Sequence, residues 1–292
     1  MRIVRTKAEL REALDAPRRR GRRIGLVPTM GYFHEGHLSL MRRAREDCEI
    51  VVVSLFVNPR QFGEGEDLGS YPRDEGRDTK LAAREGVDLL WIPDVEQMYP
   101  EGFATAVEVS GELTEVLEGD PEQRGPSHFR GVTTVVAKLF NSVHPDVAYF
   151  GRKDAQQAVV IKRMVRDLDF PVRIEVLPTV REDDGLALSS RNAYLDADER
   201  ERATAISRGL RAAERAAREG ETTTSALVEV ARNELRTAGI EPEYVEARSA
   251  EDLSPIAELN GRPVLVAVAA RVGRARLIDN VVIAAPTQNT EA

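Results

Sequence analysis

The chain has 292 residues, of which 42% are hydrophobic and 31% are charged, and its formal net charge is −8. This balance is typical of a globular protein and excludes a disordered chain. The negative charge argues against a protein that binds nucleic acid or a membrane surface through an overall positive field. Because Cys48 is the single cysteine, no intrachain disulfide is possible, and we expect a small buried residue there.

The sequence shows neither an apolar signal core at its N-terminus nor an apolar run of membrane-spanning length. We therefore expect a cytoplasmic protein with no membrane partner and no nucleic-acid partner. The length leaves room for two domains, or for one large domain with a substantial core.

Helices and apolar strands alternate through the first part of the chain. Residues 6–16 have the pattern of a short amphipathic helix, and a basic connection with Pro and Gly covers residues 17–23. The first strong strand lies at 24–27, followed by a helix at about 37–47 and a continuous apolar strand at 50–57. This alternation indicates a parallel sheet built from right-handed βαβ crossovers.

The pattern then loosens. A helix at about 74–85 ends at Gly86, a residue favoured just after a helix C-terminus, and residues 87–93 have the pattern of a strand. Residues 94–127 are irregular, apart from a short predicted strand at 106–109. A long irregular segment in a compact domain often forms a binding loop or flap.

Two more strand–helix units complete the series. A helix at 132–143 precedes a strand at 147–150, and residues 151–154 open another helix. A strand at 172–178 closes the series. We therefore predict an α/β fold with a parallel sheet for this part of the chain.

The character of the sequence changes near residues 181–186. Two helices rich in Ala, Arg and Glu are followed by clustered short strands, which suggests a separate α+β domain. The predicted helices are 196–219 and 223–238, and the predicted strands are 243–247, 263–270, 275–278 and 281–283. We predict two domains, residues 1–182 and residues 183–292, and expect residues 287–292 to be disordered.

The stretch Pro28–Leu38 contains two of the four histidines, His34 and His37, in a Gly-punctuated loop between a strand and a helix. A zinc site of the metalloprotease type needs histidines at i and i+4 on one helix, which this spacing does not provide. A packed core histidine fits a Gly-rich strand end poorly. Phosphate contact remains, because each imidazole offers an N–H and a helix start offers free backbone amides.

Two other segments offer phosphate donors. Lys153 and Asp154 follow Gly151 at a strand-to-helix turn, where Asp154 suits ribose hydroxyls and Lys153 suits phosphates, although Asp154 could instead cap the helix. Residues 188–192 place two hydroxyls and a guanidinium near the predicted boundary, although alone they would be an ordinary polar turn. The coincidence of the three segments favours function.

Together these residues resemble the pantothenate synthetase (pantoate–β-alanine ligase) family. The resemblance rests on the His-x-Gly-His loop, on Phe56–Pro59 with Gln61 and Phe62, and on Phe150–Gln157 and Leu188–Asn192, in that order along the chain. The His-x-Gly-His element alone indicates only nucleotidyl transfer, as in class I aminoacyl-tRNA synthetases and adenylyltransferases. The combination is much more specific.

The resemblance implies a Rossmann-like domain with helices on both faces that binds ATP and pantoate, a smaller α+β C-terminal lid domain, and a homodimer. It also implies a reaction. The pantoate carboxylate attacks the α-phosphorus of Mg-ATP, which gives pantoyl adenylate and pyrophosphate. The amine of β-alanine then attacks the mixed anhydride, which gives pantothenate and AMP.

The resemblance also assigns roles to residues of this sequence. Catalytic roles fall on His37, His34, Lys153 and Arg191. The implied ATP contacts are Met30, Gly31, His34, Gly36, His37, Gly151, Arg152, Lys153, Asp154, Val180, Leu188, Ser189, Ser190 and Arg191. The implied pantoate ligands are Gln61 and Gln157, and Gln61 also meets β-alanine. No Mg²⁺ ligand is evident from the sequence, and Asp78 is a weak candidate.

Three positions depart from the family pattern, and none removes a group that the chemistry needs. Leu188 stands where methionine is usual, Tyr32 and Phe33 are larger than the common loop residues, and Arg60 adds a charge before Gln61. Two alternatives remain open, namely an adenylyltransferase of the same superfamily and a non-catalytic nucleotide-binding module. A tRNA synthetase is disfavoured by the acidic charge and the lack of room for an anticodon module.

Overall fold

A computed structural model describes residues 1–284 of the chain, so the predicted disordered tail at 287–292 lies outside the described residues. Within residues 1–284 the chain forms a six-stranded parallel sheet and, nearer the C-terminus, a three-stranded antiparallel sheet. The predicted α/β fold class is confirmed. No helix in this part of the chain is both long enough and apolar enough to cross a membrane.

The elements alternate as the sequence predicts, with shifted ends. The strands are β1 (Arg2–Val4), β2 (Ile24–Thr29), β3 (Ile50–Leu55), β4 (Leu89–Trp91), β5 (Val147–Gly151), β6 (Arg173–Leu177), β7 (Pro242–Ser249), β8 (Val264–Val272) and β9 (Ala275–Ile283). The helices are α1 (Lys7–Arg19), α2 (Glu35–Asp47), α3 (Glu75–Arg84), α4 (Val95–Met98), α5 (Pro126–Val143), α6 (Ala155–Asp167), α7 (Ala197–Arg218) and α8 (Thr224–Thr237).

The order of strands in the parallel sheet is β1-β4-β3-β2-β5-β6. The chain builds outward from β2 through β3 and β4, then returns to add β5 and β6 on the other side of β2. The order therefore reverses between β2 and β5, which pair at Gly25–Val147 and Leu26–Ala148. Loops at the carboxyl ends of the two strands flank a crevice there, and such a crevice is where open α/β sheets bind ligands.

Alternate residues of each central strand face opposite sides of the sheet. In β2, Leu26 packs with α1, α5 and α6, while Val27 packs with α2 and α3 on the other face. Helices therefore cover both faces, which explains why these strands are apolar at nearly every position. Cys48, just after α2, is buried as predicted.

Three element predictions are wrong at their boundaries. Helix α1 continues through Pro17 to Arg19, and Arg18 in its last turn donates to the carbonyls of Ser142 and Val143 at the end of α5. Helix α5 begins at Pro126 rather than at 132, with proline in the first turn where it has no hydrogen bond to lose. The two strands predicted at 275–278 and 281–283 are one strand, β9.

The strand predicted at 106–109 does not form, and β1 was not predicted. The backbone of Val107 instead bonds to side chains of α5: its N–H donates to the Thr134 hydroxyl (3.0 Å), and its carbonyl accepts from the Thr133 hydroxyl (2.6 Å). Helix hydroxyls thus satisfy the groups that a sheet partner would use.

The C-terminal sheet lies beside the cleft. Helices α7 and α8 pack on one another and on the sheet through a separate apolar core. The other side of the sheet meets the irregular segment: Arg276 of β9 makes a bidentate pair with Glu118 (2.7 and 2.9 Å), and Tyr244 of β7 donates to the same carboxylate (2.9 Å). The C-terminal sheet is thereby held next to the strand ends of the parallel sheet.

Candidate active site

One cleft lies between the carboxyl ends of β2 and β5 and the C-terminal sheet. Of the residues assigned above to the site, only Gly31 and Arg152 do not line this cleft. The residues that do line it are Met30, His34, Gly36, His37, Gln61, Gly151, Lys153, Asp154, Gln157, Val180, Leu188, Ser189, Ser190 and Arg191. Gly31 is buried within the histidine loop and has a φ of 88°, and the Arg152 side chain faces solvent.

The histidine loop is held from below by Asp78 of α3. Its buried carboxylate accepts the backbone N–H groups of Tyr32 (2.6 Å) and Phe33 (2.7 Å). Burial nevertheless raises the pKa of Asp78. Both oxygens are therefore used to shape the loop, and no group of three or more Asp, Glu, His or Cys side chains within residues 1–284 is placed to hold a metal ion.

The two imidazoles lie against each other at the start of α2, with ring centroids 4.1 Å apart. Burial lowers the pKa of His34 to about 4, with a further contribution from Lys153, and burial with the nearby His34 and Lys153 lowers the pKa of His37 well below its ordinary value. Both rings are therefore neutral near pH 7. His37 Nδ1 accepts the backbone N–H of His34 (3.3 Å), so the single N–H of His37 is on Nε2.

Lys153 lies across the crevice in a short 3-10 turn, Arg152–Asp154, that leads from β5 into α6. Its ammonium is 3.3 Å from the Asp154 carboxylate. The Lys153 charge also helps to lower the pKa of both imidazoles. The histidine loop and the lysine turn thus converge at the point where the strand order reverses.

Arg191 lies in the segment before α7 and forms a bidentate ion pair with Asp67. Nε and Nη2 of the guanidinium meet the two carboxylate oxygens at 2.9 and 2.8 Å. This ion pair lowers the pKa of Asp67 in spite of its burial. The N–H groups on Nη1 remain for another acceptor. The neighbouring Ser190 hydroxyl donates to the Tyr32 carbonyl (3.4 Å), which links this segment to the histidine loop.

Gln61 lies in a 3-10 turn, Pro59–Gln61, and its side chain is oriented by Asn58. The Asn58 amide donates to Gln61 Oε1 (3.0 Å) and to the Gly131 carbonyl (3.1 Å), while Asn58 accepts from the Tyr99 hydroxyl (2.7 Å). Since Oε1 already accepts this bond, the amide of Gln61 presents its N–H groups elsewhere. One of them reaches the Met30 sulfur (3.1 Å) at the edge of the cleft.

The backbone of Gln61 is held from the other side. Its carbonyl accepts from His128 Nδ1 (2.7 Å) and from Arg124 (3.0 Å), whose guanidinium also pairs with Glu66. Arg124 faces His128 Nε2 (3.2 Å), so His128 is the neutral Nδ1–H tautomer, and burial lowers its pKa to about 4.

The two glutamines of α6 have different surroundings. Gln157 lines the cleft, as assigned. Gln156 is buried, donates to the carbonyls of Leu113 and Val116 (2.9 and 2.7 Å), and accepts from the Glu118 N–H (3.0 Å). Gln156 therefore fastens the irregular segment to α6, and Gln157 is the glutamine available to a ligand.

The three departures from the family pattern leave the cleft open. Leu188 uses its backbone N–H to donate to the Val180 carbonyl (3.0 Å). Phe33 is fully buried beneath α2, and Tyr32 lies under the Arg77 guanidinium. Arg60 stacks over the rings of Tyr99 and Phe103 and does not line the cleft.

Sequence reasoning missed several residues that shape this cleft. The residues that line it without having been assigned include Asn58, Tyr71, Glu118, Arg124, His128, Tyr244, Asp279 and Asn280. Asn58 was visible beside Gln61 at a strand end and could have been singled out. The others lie in irregular segments, in the first turn of α5 or in the C-terminal strands, where no pattern marks them.

Comparison with known proteins agrees with this geometry. The family described as pantoate-beta-alanine ligase matches residues 2–282. A pantothenate synthetase of Moorella thermoacetica is 54% identical over 285 residues, covering 97% of this chain and 99% of that protein. The crystal structure of pantothenate synthetase from Thermus thermophilus has a TM-score of 0.90 and 49% identity, covering 96% of this chain and 99% of that one.

A third comparison concerns a complex. The pantoate-beta-alanine ligase of Francisella tularensis, solved with beta-gamma ATP and beta-alanine, has a TM-score of 0.80 and is 33% identical, covering 96% of this chain and 97% of that one. The match spans both sheets and the cleft between them. The chain belongs to the pantoate–β-alanine ligase family.

Proposed function

We propose that this chain joins pantoate to β-alanine in two steps at the cleft, with ATP as the activating substrate and pantoyl adenylate as the intermediate. The observation that carries the proposal is the convergence of the histidine loop, the Lys153 turn and the Ser189–Arg191 segment, with Gln61 and Gln157, in one cleft. The ligands of the Francisella tularensis relative support it.

In the first step the pantoate carboxylate forms a bond to the α-phosphorus of ATP, and the bond to the pyrophosphate oxygen breaks. The carboxylate is already ionised, so no protein nucleophile or general base is needed. The enzyme has to hold the reactants in line and to stabilise the charge that moves onto pyrophosphate. Lys153 and Arg191 supply positive charge, and His34 and His37 supply neutral N–H donors.

The binding roles follow the segments. The loop Met30–His37 and the turn Gly151–Asp154 would take the phosphates and ribose, and Val180 would meet adenine. Leu188 would contribute through its backbone. Gln61 and Gln157 would hold pantoate, because a carboxamide can both donate to its carboxylate and accept from its hydroxyls. Gln61 would also meet β-alanine.

In the second step the unprotonated amine of β-alanine attacks the acyl carbon of pantoyl adenylate. The new C–N bond forms as the C–O bond to AMP breaks, and the amine loses its proton to solvent. The mixed anhydride is reactive, so positioning of the amine is the main requirement. Exclusion of water during this step would protect the intermediate from hydrolysis.

We propose further that Mg²⁺ arrives with ATP and is held mainly by its phosphates, since residues 1–284 contain no cluster of acidic and histidine side chains suited to a metal. Asp154 is the acidic side chain that lies beside Lys153 in the cleft. We also propose a homodimer, a lid role for residues 183–292 over residues 1–182, and a cytoplasmic location, as the family resemblance implies.

The test is exchange of labelled pyrophosphate into ATP. We expect exchange that depends on pantoate, followed by release of AMP when β-alanine is added. Pantoyl lactone is the matched control, because it lacks the free carboxylate and should not support exchange. Exchange that ignores pantoate would favour an adenylyltransferase with another acceptor, and binding of ATP without any exchange would favour a nucleotide-binding module.

A further inference from the structure

One contact joins the C-terminal sheet directly to the phosphate side of the cleft. The side-chain amide of Asn280, on β9, donates to the backbone carbonyls of Arg152 (3.0 Å) and Lys153 (2.9 Å). These partners are distant in sequence, at separations of 128 and 127 positions. The contact therefore exists only because the two sheets face each other across the cleft.

The geometry fixes the orientation of this side chain. Asn280 is 5% exposed, and both its partners are carbonyls, which only the N–H₂ group of the amide can satisfy. Its Oδ1 is buried without a hydrogen-bond partner in the part of the chain that the structure describes. Burying Oδ1 without a hydrogen bond costs free energy. The two bonds that Nδ2 donates are therefore the contacts that favour an asparagine at this position.

The residue before it makes a second connection. Asp279 is 4% exposed, and its two carboxylate oxygens accept hydrogen bonds from Nη1 and Nη2 of Arg181. The bond from Nη2 to Oδ1 is 3.0 Å long. Arg181 follows Val180, the residue assigned to adenine. Two adjacent residues of β9 thus reach the segments assigned to the two ends of the nucleotide, namely the phosphates through Lys153 and adenine through Val180.

We propose that Asn280 is a positioning residue for ATP, which acts by holding the Arg152–Asp154 turn so that the Lys153 ammonium faces the histidine pair. The inference rests on the proposed function for the identity of the nucleotide. It assigns the C-terminal sheet a fixed part in the phosphate site, through a side-chain amide that bonds to the backbone of the Lys153 turn.

The physical reason lies in the turn itself. A 3-10 turn of three residues has few internal hydrogen bonds. The two bonds from Asn280 to the carbonyls at 152 and 153 therefore anchor the turn from outside. Loss of the amide frees the turn to rotate these carbonyls. A shift of about 1 Å in a lysine that contacts a transferring phosphate is enough to weaken catalysis strongly.

The test uses Asn280→Ala and Asn280→Asp in the full chain. For Asn280→Ala, the loss of two buried hydrogen bonds should raise KM for ATP about tenfold, while KM for pantoate changes by less than about twofold. Asn280→Asp keeps the shape and replaces the donor with a carboxylate facing two carbonyls, so it should do at least as much harm. Asn233→Ala, at an exposed position of α8, is the matched control.

A double-mutant cycle with Lys153→Ala separates positioning from general damage. If Asn280 acts through Lys153, adding Asn280→Ala to Lys153→Ala should leave ATP affinity, measured by calorimetry with a non-hydrolysable analogue, within about twofold of the single Lys153 variant. Fully additive losses, or an unchanged KM for ATP in a folded Asn280→Ala protein, would overturn the proposal. Failure of the wild-type chain in pantoate-dependent exchange would instead count against the proposed function, since the binding cycle does not use pantoate.

Discussion

At the scale of residues, the positive charges and the neutral hydrogen-bond donors of the cleft are on different side chains. Burial keeps His34 and His37 neutral near pH 7, with one N–H each, while Lys153 and Arg191 supply the positive charge. A neutral imidazole avoids the cost of burying a second cation beside Lys153. In the proposed reaction, the charge that moves onto pyrophosphate would meet one lysine, one arginine and the neutral N–H donors of the two histidines.

His37→Ala is therefore expected to reduce kcat by roughly 10²-fold, by analogy with the loss of one oxyanion-hole donor. The reason is that the Nε2–H of His37 would stabilise the transition state more than the ground state. The measurement is steady-state kinetics of pantothenate formation, with thermal unfolding to confirm that the variant folds. His144→Asn changes an exposed histidine at a left-handed position that asparagine tolerates, and should leave kcat unaltered. An unaltered kcat in His37→Ala would remove the catalytic role.

At the scale of elements, Gln61 depends on how closely its turn approaches α5. A Cβ atom at Gly131 would lie 2.0 Å from the Arg60 carbonyl oxygen, so only glycine allows the contact. The same close approach lets Asn58 bond to the Gly131 carbonyl and to Gln61. Helix α5 thus supports the turn that we propose to bind pantoate.

Gly131→Ala should push this turn away from α5. We expect a loss of about 1–3 kcal/mol of stability from the overpacking and a raised KM for pantoate, measured by denaturant unfolding and by kinetics. Gly76→Ala in α3 is the control, because its nearest neighbour would be 3.8 Å away and alanine favours a helix by up to about 1 kcal/mol. A Gly131→Ala enzyme with normal KM for pantoate would show that the turn is held by other contacts.

At the scale of the whole molecule, buried neutral histidines make the fold sensitive to mild acid. The pKa values of His34 and His128 are about 4 in the folded chain, against about 6.5 for an unfolded histidine. Between these values the unfolded chain binds more protons than the folded one. The free energy of unfolding therefore falls as the pH drops from about 6.5 towards 4.

We expect Tm, measured by calorimetry, to fall from about pH 6.5 to about pH 5, a range above the usual titration of carboxylates. His128→Gln removes one of these groups while keeping an amide donor for the Gln61 carbonyl. It should make the dependence of Tm on pH shallower over this range, whatever it does to Tm near neutral pH. Identical slopes in the wild type and His128→Gln would show that His128 is not part of this acid response.

The order of strands and helices, the α/β class and the three segments that meet in the cleft could be predicted because each depends on residues close together in sequence. Apolar runs set β2, β3 and β5, and glycines with neighbouring donors mark the loops that follow β2 and β5. Cleft residues such as His34, Lys153 and Gln157 could therefore be identified from the sequence alone.

Only the tertiary structure decided what holds those residues in place. Asp78 meets Tyr32 across 46 positions of the chain, Asp67 meets Arg191 across 124, and Asn280 meets Lys153 across 127. A single polar residue of this kind has no period and no neighbouring motif, so its partner depends on how distant segments pack in the folded chain. The chemistry of the cleft is thus local in the sequence, while its alignment comes from contacts between distant parts of the chain.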